Sequence, residues 1–145
     1  MGKREPLEIE IKKINQFGQL PTKGTDDAAG WDLYLPKDVT INSHSSKKIP
    51  LGIAMAIPNG YFGKIEDRSG AALRINFTTK AGVIDSDYRD EIGVVIANLS
   101  DSPVEFLKED RLCQMVLHEN IPAKMVEVKE LGKTERKGGF GSTGK

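Results

Sequence analysis

Residues 82 to 92, Gly-Val-Ile-Asp-Ser-Asp-Tyr-Arg-Asp-Glu-Ile, set two aspartates and a tyrosine between apolar flanks. In an extended segment successive side chains alternate faces, so Asp85 and Asp87 share one side while Ile84 and Ser86 take the other. With Ile84 in a core, Asp85 presents a carboxylate to a cleft, and the segment reads as a functional hairpin. An ordinary polar turn is the competing reading, because Asp and Ser are frequent turn formers.

Three shorter segments place polar groups where strand patterning calls for turns or core. Ala28-Ala29-Gly30-Trp31-Asp32-Leu33 puts a carboxylate, Asp32, at the edge of a core, with small residues that permit close backbone approach. Asp67-Arg68-Ser69-Gly70 offers the Arg68 guanidinium and an N-cap serine, Ser69, whose following amides are donors for a phosphate; simple helix capping explains Ser69 equally well. In Arg111-Leu112-Cys113-Gln114-Met115, Gln114 interrupts an apolar strand, and a buried amide needs partners. Cys113 reads as a small hydrophobe rather than a nucleophile, since no histidine lies near it in sequence.

The stretch from Leu131 to Lys145 differs in kind. It holds five glycines and only two large apolar side chains, Leu131 and Phe140. Such a chain loses more entropy on ordering than its own contacts return, so it is expected to be flexible until something holds it. Arg136, Lys137, Ser142, Thr143 and the amides of glycines such as Gly141 supply anion-binding groups, and Phe140 supplies a flat face. Together they describe a flap over an anionic, aromatic ligand. The alternative is a frayed terminus. Gly139 to Lys145 also fits the opening of the P-loop pattern, but the Ser/Thr and helix that should follow, and a strong preceding strand, are missing.

The elements that must position these groups are mostly strands. Apolar and polar residues alternate over Leu7–Ile11, and further strand candidates are Val39–Ile41, Lys48–Ile57, Tyr61–Glu66, Glu91–Leu99, Val104–Leu107, Leu112–His118 and Lys124–Val128. Pro, Gly, Asn, Asp and Ser punctuate the intervals. Only Ser69–Ile75 looks helical, for about two turns. The pattern predicts an all-β, jelly-roll-like barrel with one short helix, over residues 1–130, followed by a flexible glycine-rich tail over 131–145.

Composition narrows the function. The 145 residues make one domain, and 21 basic side chains balance 21 acidic ones, so no global field draws in nucleic acid or an anionic membrane. One cysteine and two distant histidines, His44 and His118, exclude a disulfide framework and a thiolate-histidine zinc site, while a hard cation on oxygen ligands remains open. With no apolar run of signal or membrane-span length, the chain reads as soluble and intracellular, cytoplasmic or nuclear.

The segments singled out resemble the five ordered motifs of the homotrimeric dUTP diphosphatases (dUTPases). Ala29-Gly30-Trp31-Asp32-Leu33 is similar to the first, Arg68-Ser69-Gly70 to the second, Gly82 through Glu91 to the third, Arg111 through Gln114 to the fourth and Gly138 through Gly144 to the fifth. Each is weak alone; five in order at compatible spacing are specific. The resemblance implies a trimer of jelly-roll subunits whose interfacial sites are covered by another chain's tail. It implies that Asp85 positions and deprotonates the water attacking the α-phosphorus, that Tyr88 packs on the deoxyribose, and that main-chain groups of the hairpin, Gly82 and Ile84 among them, read uracil. Arg68, Ser69, Gly70 and Gln114 would hold the α and β phosphates, Asp32 would support Mg²⁺ largely through water, and Arg136, Gly141, Ser142 and Thr143 would reach the γ-phosphate side while Phe140 stacks on uracil. The reaction implied is dUTP plus water to dUMP plus pyrophosphate, lowering dUTP and supplying dUMP for dTTP synthesis.

The chain departs from the family pattern at Asp90, where glycine is usual and a positive φ is one expectation, at Trp31, where tyrosine is commoner, and in a tail one residue shorter than many. Asp67 stands where a neutral residue is expected, so its carboxylate either weakens phosphate binding or faces solvent. Rival readings are dCTP deaminase, which shares the fold, a nucleotide-switched binding scaffold, and a structural jelly roll such as a capsid subunit. The Asp85 to Tyr88 segment and the complete fifth motif favour hydrolysis of the triphosphate.

Overall fold

Strand residues that alternate in the sequence alternate in burial. The computed structural model of the chain describes residues 4–69, 77–80 and 82–141. Its strands are β1 (Glu10–Lys13), β2 (Gly30–Tyr34), β3 (Val39–Ile41), β4 (Ser46–Pro50), β5 (Ile53–Ala56), β6 (Tyr61–Asp67), β7 (Phe77–Lys80), β8 (Val83–Ile84), β9 (Gly93–Asn98), β10 (Val104–Phe106) and β11 (Arg111–Glu119). In β3, Val39 and Ile41 are buried around exposed Thr40, and in β6, Gly63 and Ile65 are buried around exposed Lys64.

Every strand pairing is antiparallel. The sheets run β2-β11-β6-β8, β4-β9-β7, β1-β5 and β3-β10. They share one core: Leu33 from β2, Ile41 from β3, Ile49 from β4, Ile53 from β5, Ile65 from β6, Ile84 from β8, Ile96 from β9, Phe106 from β10 and Met115 from β11 all belong to it. Each such side chain contributes roughly 1.5–3 kcal/mol by leaving water. The fold is all-β and jelly-roll-like, as the sequence predicts.

Several expectations are corrected. Lys48–Ile57 is two strands, broken where Gly52 adopts φ +74°, a left-handed conformation that glycine tolerates. The first strand begins at Glu10 rather than Leu7. Lys124–Val128 is no strand: Met125, Val126 and Val128 are exposed, and the segment pairs with no strand among the described residues. The 82–92 segment is not a hairpin either. β8 pairs with β6, whereas β9 pairs with β4 and β7, so the intervening loop crosses from one sheet to another. β2, β7 and β8 went unread because Gly30 and Asp32 interrupt the first and the others are short. Of the helix expected over 69–75, all but Ser69 lies outside the described residues.

Candidate active site

β11 is the strand around which the polar groups gather. It lies between β2 and β6, and its register sets Gln114 opposite both Asp32 and Glu66, and Cys113 opposite Asp67. Gly30 on β2 is required by this arrangement, since a Cβ there would lie 2.1 Å from Gln114 Oε1. The carboxamide therefore lies against bare backbone, and its Nε2 donates to the Asp67 carbonyl at 3.2 Å. Gln114 has found the partner its half-buried position demands.

Asp32 is 7% exposed, and its Oδ1 accepts from Arg68 Nε at 2.9 Å, while Arg111 stands 3.6 Å from Oδ2. Arg68 also donates from a terminal nitrogen to the Arg111 carbonyl at 2.8 Å. A carboxylate this buried is tolerable because a guanidinium neutralises it. The result is two arginines held side by side at the ends of β6 and β11, a geometry suited to phosphate oxygens. Beneath them burial pushes the Cys113 thiol up to about 12; the Asp67 carboxylate adds to the rise, Arg68 opposes it and Asp32 adds a little more. Cys113 is a packed hydrophobe here and no nucleophile.

A second feature lies on the β8 side of the same sheet. Gly82, Val83, Ile84, Tyr88, Ile92 and Gly93 line a cleft of about 190 Å³, together with Lys48 and Ile65. Gly82 packs so close that a Cβ would meet the Ile65 carbonyl at 2.7 Å. Ile84 is buried and Asp85, the next residue, is exposed, which is the alternation read from the sequence. The main-chain carbonyl of Asp85 then accepts from the Tyr88 amide at 3.1 Å to close a turn. The phenol of Tyr88 donates to the Glu91 carbonyl at 2.9 Å, and Glu91 Oε2 accepts from the Gly52 amide at 2.9 Å. Thus a loop rich in acceptors is pinned at its base. Asp90 does not take a positive φ, so its departure from glycine leaves the backbone unstrained.

The two clusters have no lining residue in common. Asp32, Arg68 and Gln114 come together in one, and Gly82, Ile84 and Tyr88 in the other, with Asp85 following Ile84. Arg136, Phe140 and Gly141 join neither; Arg136 and Phe140 are exposed. Gly70, Ser142 and Thr143 lie outside the described residues, and Ser69 is the last one described before the gap. Sequence reasoning passed over Lys48, Ile65, Ile92 and Gly93. Gly93 carried a signal, a glycine opening a strand, which marks close approach; Lys48 was read only as the start of the strand Lys48–Ile57.

Among the described residues no group of three or more His, Cys, Asp or Glu side chains converges to cage a metal ion. A hard cation here would take most of its oxygens from phosphate and water, the coordination Mg²⁺ keeps on nucleotides. Asp32 would support such a cation through Oδ2, which carries only the long 3.6 Å ion pair with Arg111, while Oδ1 takes the Arg68 hydrogen bond.

The dUTPase family model matches residues 17–144. The chain is 44% identical over 150 residues to the deoxyuridine 5'-triphosphate nucleotidohydrolase of Candida albicans, spanning 99% of this chain and 94% of that one. It is also 44% identical over 142 residues to the enzyme of the same name from Nautilia profundicola, spanning 96% and 100%. In fold it is similar to a mutant dUTPase of Staphylococcus bacteriophage 80alpha with dUpNHpp, at TM-score 0.89, 22% identity and 94% and 98% coverage. A mutant dUTPase from phage phi11 of S. aureus, described with a structural Mg(II) ion, gives TM-score 0.80 at 20% identity, covering 88% and 100%. Since the family match runs from Phe17 into the tail and takes in both clusters, the chain belongs to the dUTPase family and hydrolyses dUTP.

Proposed function

We propose that the chain converts dUTP to dUMP and pyrophosphate at a site built from the cleft, the arginine cluster and the tail. The observation that carries this is the cleft itself: a pocket of about 190 Å³ walled by Gly82, Ile84, Tyr88 and Gly93, followed directly by an exposed carboxylate. A pyrimidine fits between the glycines, where main-chain groups read its polar edge. Tyr88, fixed through its hydroxyl, packs on the deoxyribose and leaves no room for a 2′-hydroxyl. Asp85 accepts the proton of the water that attacks the α-phosphorus, and that carboxylate must therefore be ionised.

Arg68, Ser69, Gly70 and Gln114 bind the α and β phosphates, with Arg68 held in place by Asp32. When bound, Mg²⁺ supplies charge neutralisation on the phosphate oxygens. Arg136, Gly141, Ser142 and Thr143 close over the γ-phosphate while Phe140 stacks on uracil. The exposure of Phe140 and the glycines flanking it fit a tail that acts on another subunit of a homotrimer. The 80alpha dUTPase with dUpNHpp and the phi11 dUTPase with its Mg(II) ion support the same substrate class and cation. The product dUMP would feed dTTP synthesis.

Product analysis tests this. With Mg²⁺ and separate dUTP, dCTP, dTTP and UTP, only dUTP should be consumed, giving dUMP and pyrophosphate, and the Asp85→Asn chain should turn it over at least about a hundredfold more slowly. Deamination of dCTP, or tight dUTP binding without turnover, would replace hydrolysis by the deaminase or the scaffold reading.

A further inference from the structure

Asp67 stands one position before Arg68, and a carboxylate facing the arginine cluster's ligand would repel phosphate. Its carboxylate is turned away from that role. Oδ1 accepts from the Thr79 amide at 2.9 Å and from the Thr79 hydroxyl at 2.7 Å, and Oδ2 accepts from the Thr78 hydroxyl at 3.4 Å. The main-chain carbonyl of the same residue accepts from Gln114 Nε2 at 3.2 Å. Asp67 is therefore tied to β7 by its side chain and to β11 by its backbone. It is also the last residue of β6, the point at which the chain leaves the sheet.

The very next residue carries the guanidinium that bonds Asp32 at 2.9 Å and the Arg111 carbonyl at 2.8 Å. Hydrogen bonds to a carboxylate are roughly twice as strong as neutral ones, so this anchor is stiff. Without it β6 would fray at its end, and the Thr79 amide would lose its acceptor. We propose that Asp67 is a positioning residue for phosphate binding: by tethering the end of β6 to β7 it fixes where Arg68 presents its guanidinium to the phosphates. This rests on the reading that Arg68 binds the phosphates of dUTP. For Asp67 the sequence left phosphate repulsion or a solvent-facing carboxylate; the part-buried carboxylate is held by Thr78 and Thr79 on β7.

Steady-state kinetics with dUTP, and binding of dUMP and dUDP, would be measured on the wild-type, Asp67→Ala and Asp67→Asn proteins, alongside their melting temperatures. Asp67→Ala should raise KM about tenfold with kcat changed less than about threefold, and should shrink by a similar factor the affinity gained from the β-phosphate. Asp67→Asn keeps an acceptor for Thr79 and should restore both to near the wild-type values. An unchanged or lowered KM in Asp67→Ala overturns the proposal, and so does an Asn variant as impaired as the Ala variant. A parallel loss of kcat, dUMP binding and thermal stability likewise overturns it, as the mark of a merely structural role. A wild-type protein that binds dUDP no better than dUMP would instead overturn the phosphate-binding reading of Arg68 itself.

Discussion

Among the described residues the Asp85 carboxylate takes no hydrogen bond; the turn uses its carbonyl. Replacing it by Asn should leave the structure and nucleotide binding intact and lower kcat by about 10²- to 10⁴-fold, the span of general-base contributions. Steady-state kinetics beside binding of a non-hydrolysable dUTP analogue would check both halves. Cys113 makes the opposite kind of prediction. Its folded-state value is raised from 9.0 to about 12, so the unfolded chain releases a proton above pH 9 that the folded chain keeps. The unfolded state then binds fewer protons, and this thiol's contribution should lower stability by about 1.4 kcal/mol per pH unit from 9 towards 12, with no cost below 9. Denaturant titrations of wild-type and Cys113→Ala proteins across that range would show the difference in slope. In the native protein near neutral pH the thiol should react with alkylating reagents only after unfolding.

The loop between β8 and β9 is an element held at both ends. It is tied by Ile84 in the core, by the Tyr88 hydroxyl on the Glu91 carbonyl, and by the Glu91 carboxylate on the Gly52 amide. Glu91→Ala should free that base, and amide exchange over 85–92 should accelerate at least tenfold while the β11 amides stay protected. Asn98 does similar work at the far end of β9. Only 1% exposed, it places its amide nitrogen against the carbonyls of Ile41, Asn42 and Ser102, and its Oδ1 accepts from the Ser100 amide and hydroxyl. Asn98→Ala removes the partner of the buried Ile41 carbonyl and of the part-buried groups around it, leaving the Ser100 hydroxyl its bond to the Ser102 carbonyl, and should cost about 3 kcal/mol, measurable by urea unfolding. Alternation accompanies one buried face in β3 and in the Gly63–Ile65 part of β6, and β9 was legible as a short apolar run buried on both faces towards its end. Alternation did not reveal β8, whose two residues are a strand only because β6 lies beside them.

At the scale of the molecule, the tail has exposed groups of the right chemistry and no partner in its own subunit among the described residues. In the proposed trimer a tail acts on another chain's site, so co-expressing an Asp85→Asn chain with a chain lacking residues 131–145 should restore activity at about a quarter of the sites by random mixing, although each protein alone is nearly inactive. Recovery absent from verified mixed trimers would place the tail over its own subunit. The sequence by itself determined the all-β class, the five motifs, and the inward Ile84 beside an outward Asp85, because alternation and motif chemistry are properties of neighbouring residues. Only the tertiary structure decided that the 82–92 loop joins two sheets, that Lys48 lines the cleft, that Lys124–Val128 pairs with no strand among the described residues, and that Thr79 captures the Asp67 carboxylate from 12 residues away. Each of these depends on which distant segments chain closure brings alongside, and pairing between backbones leaves no periodic trace in either partner's sequence.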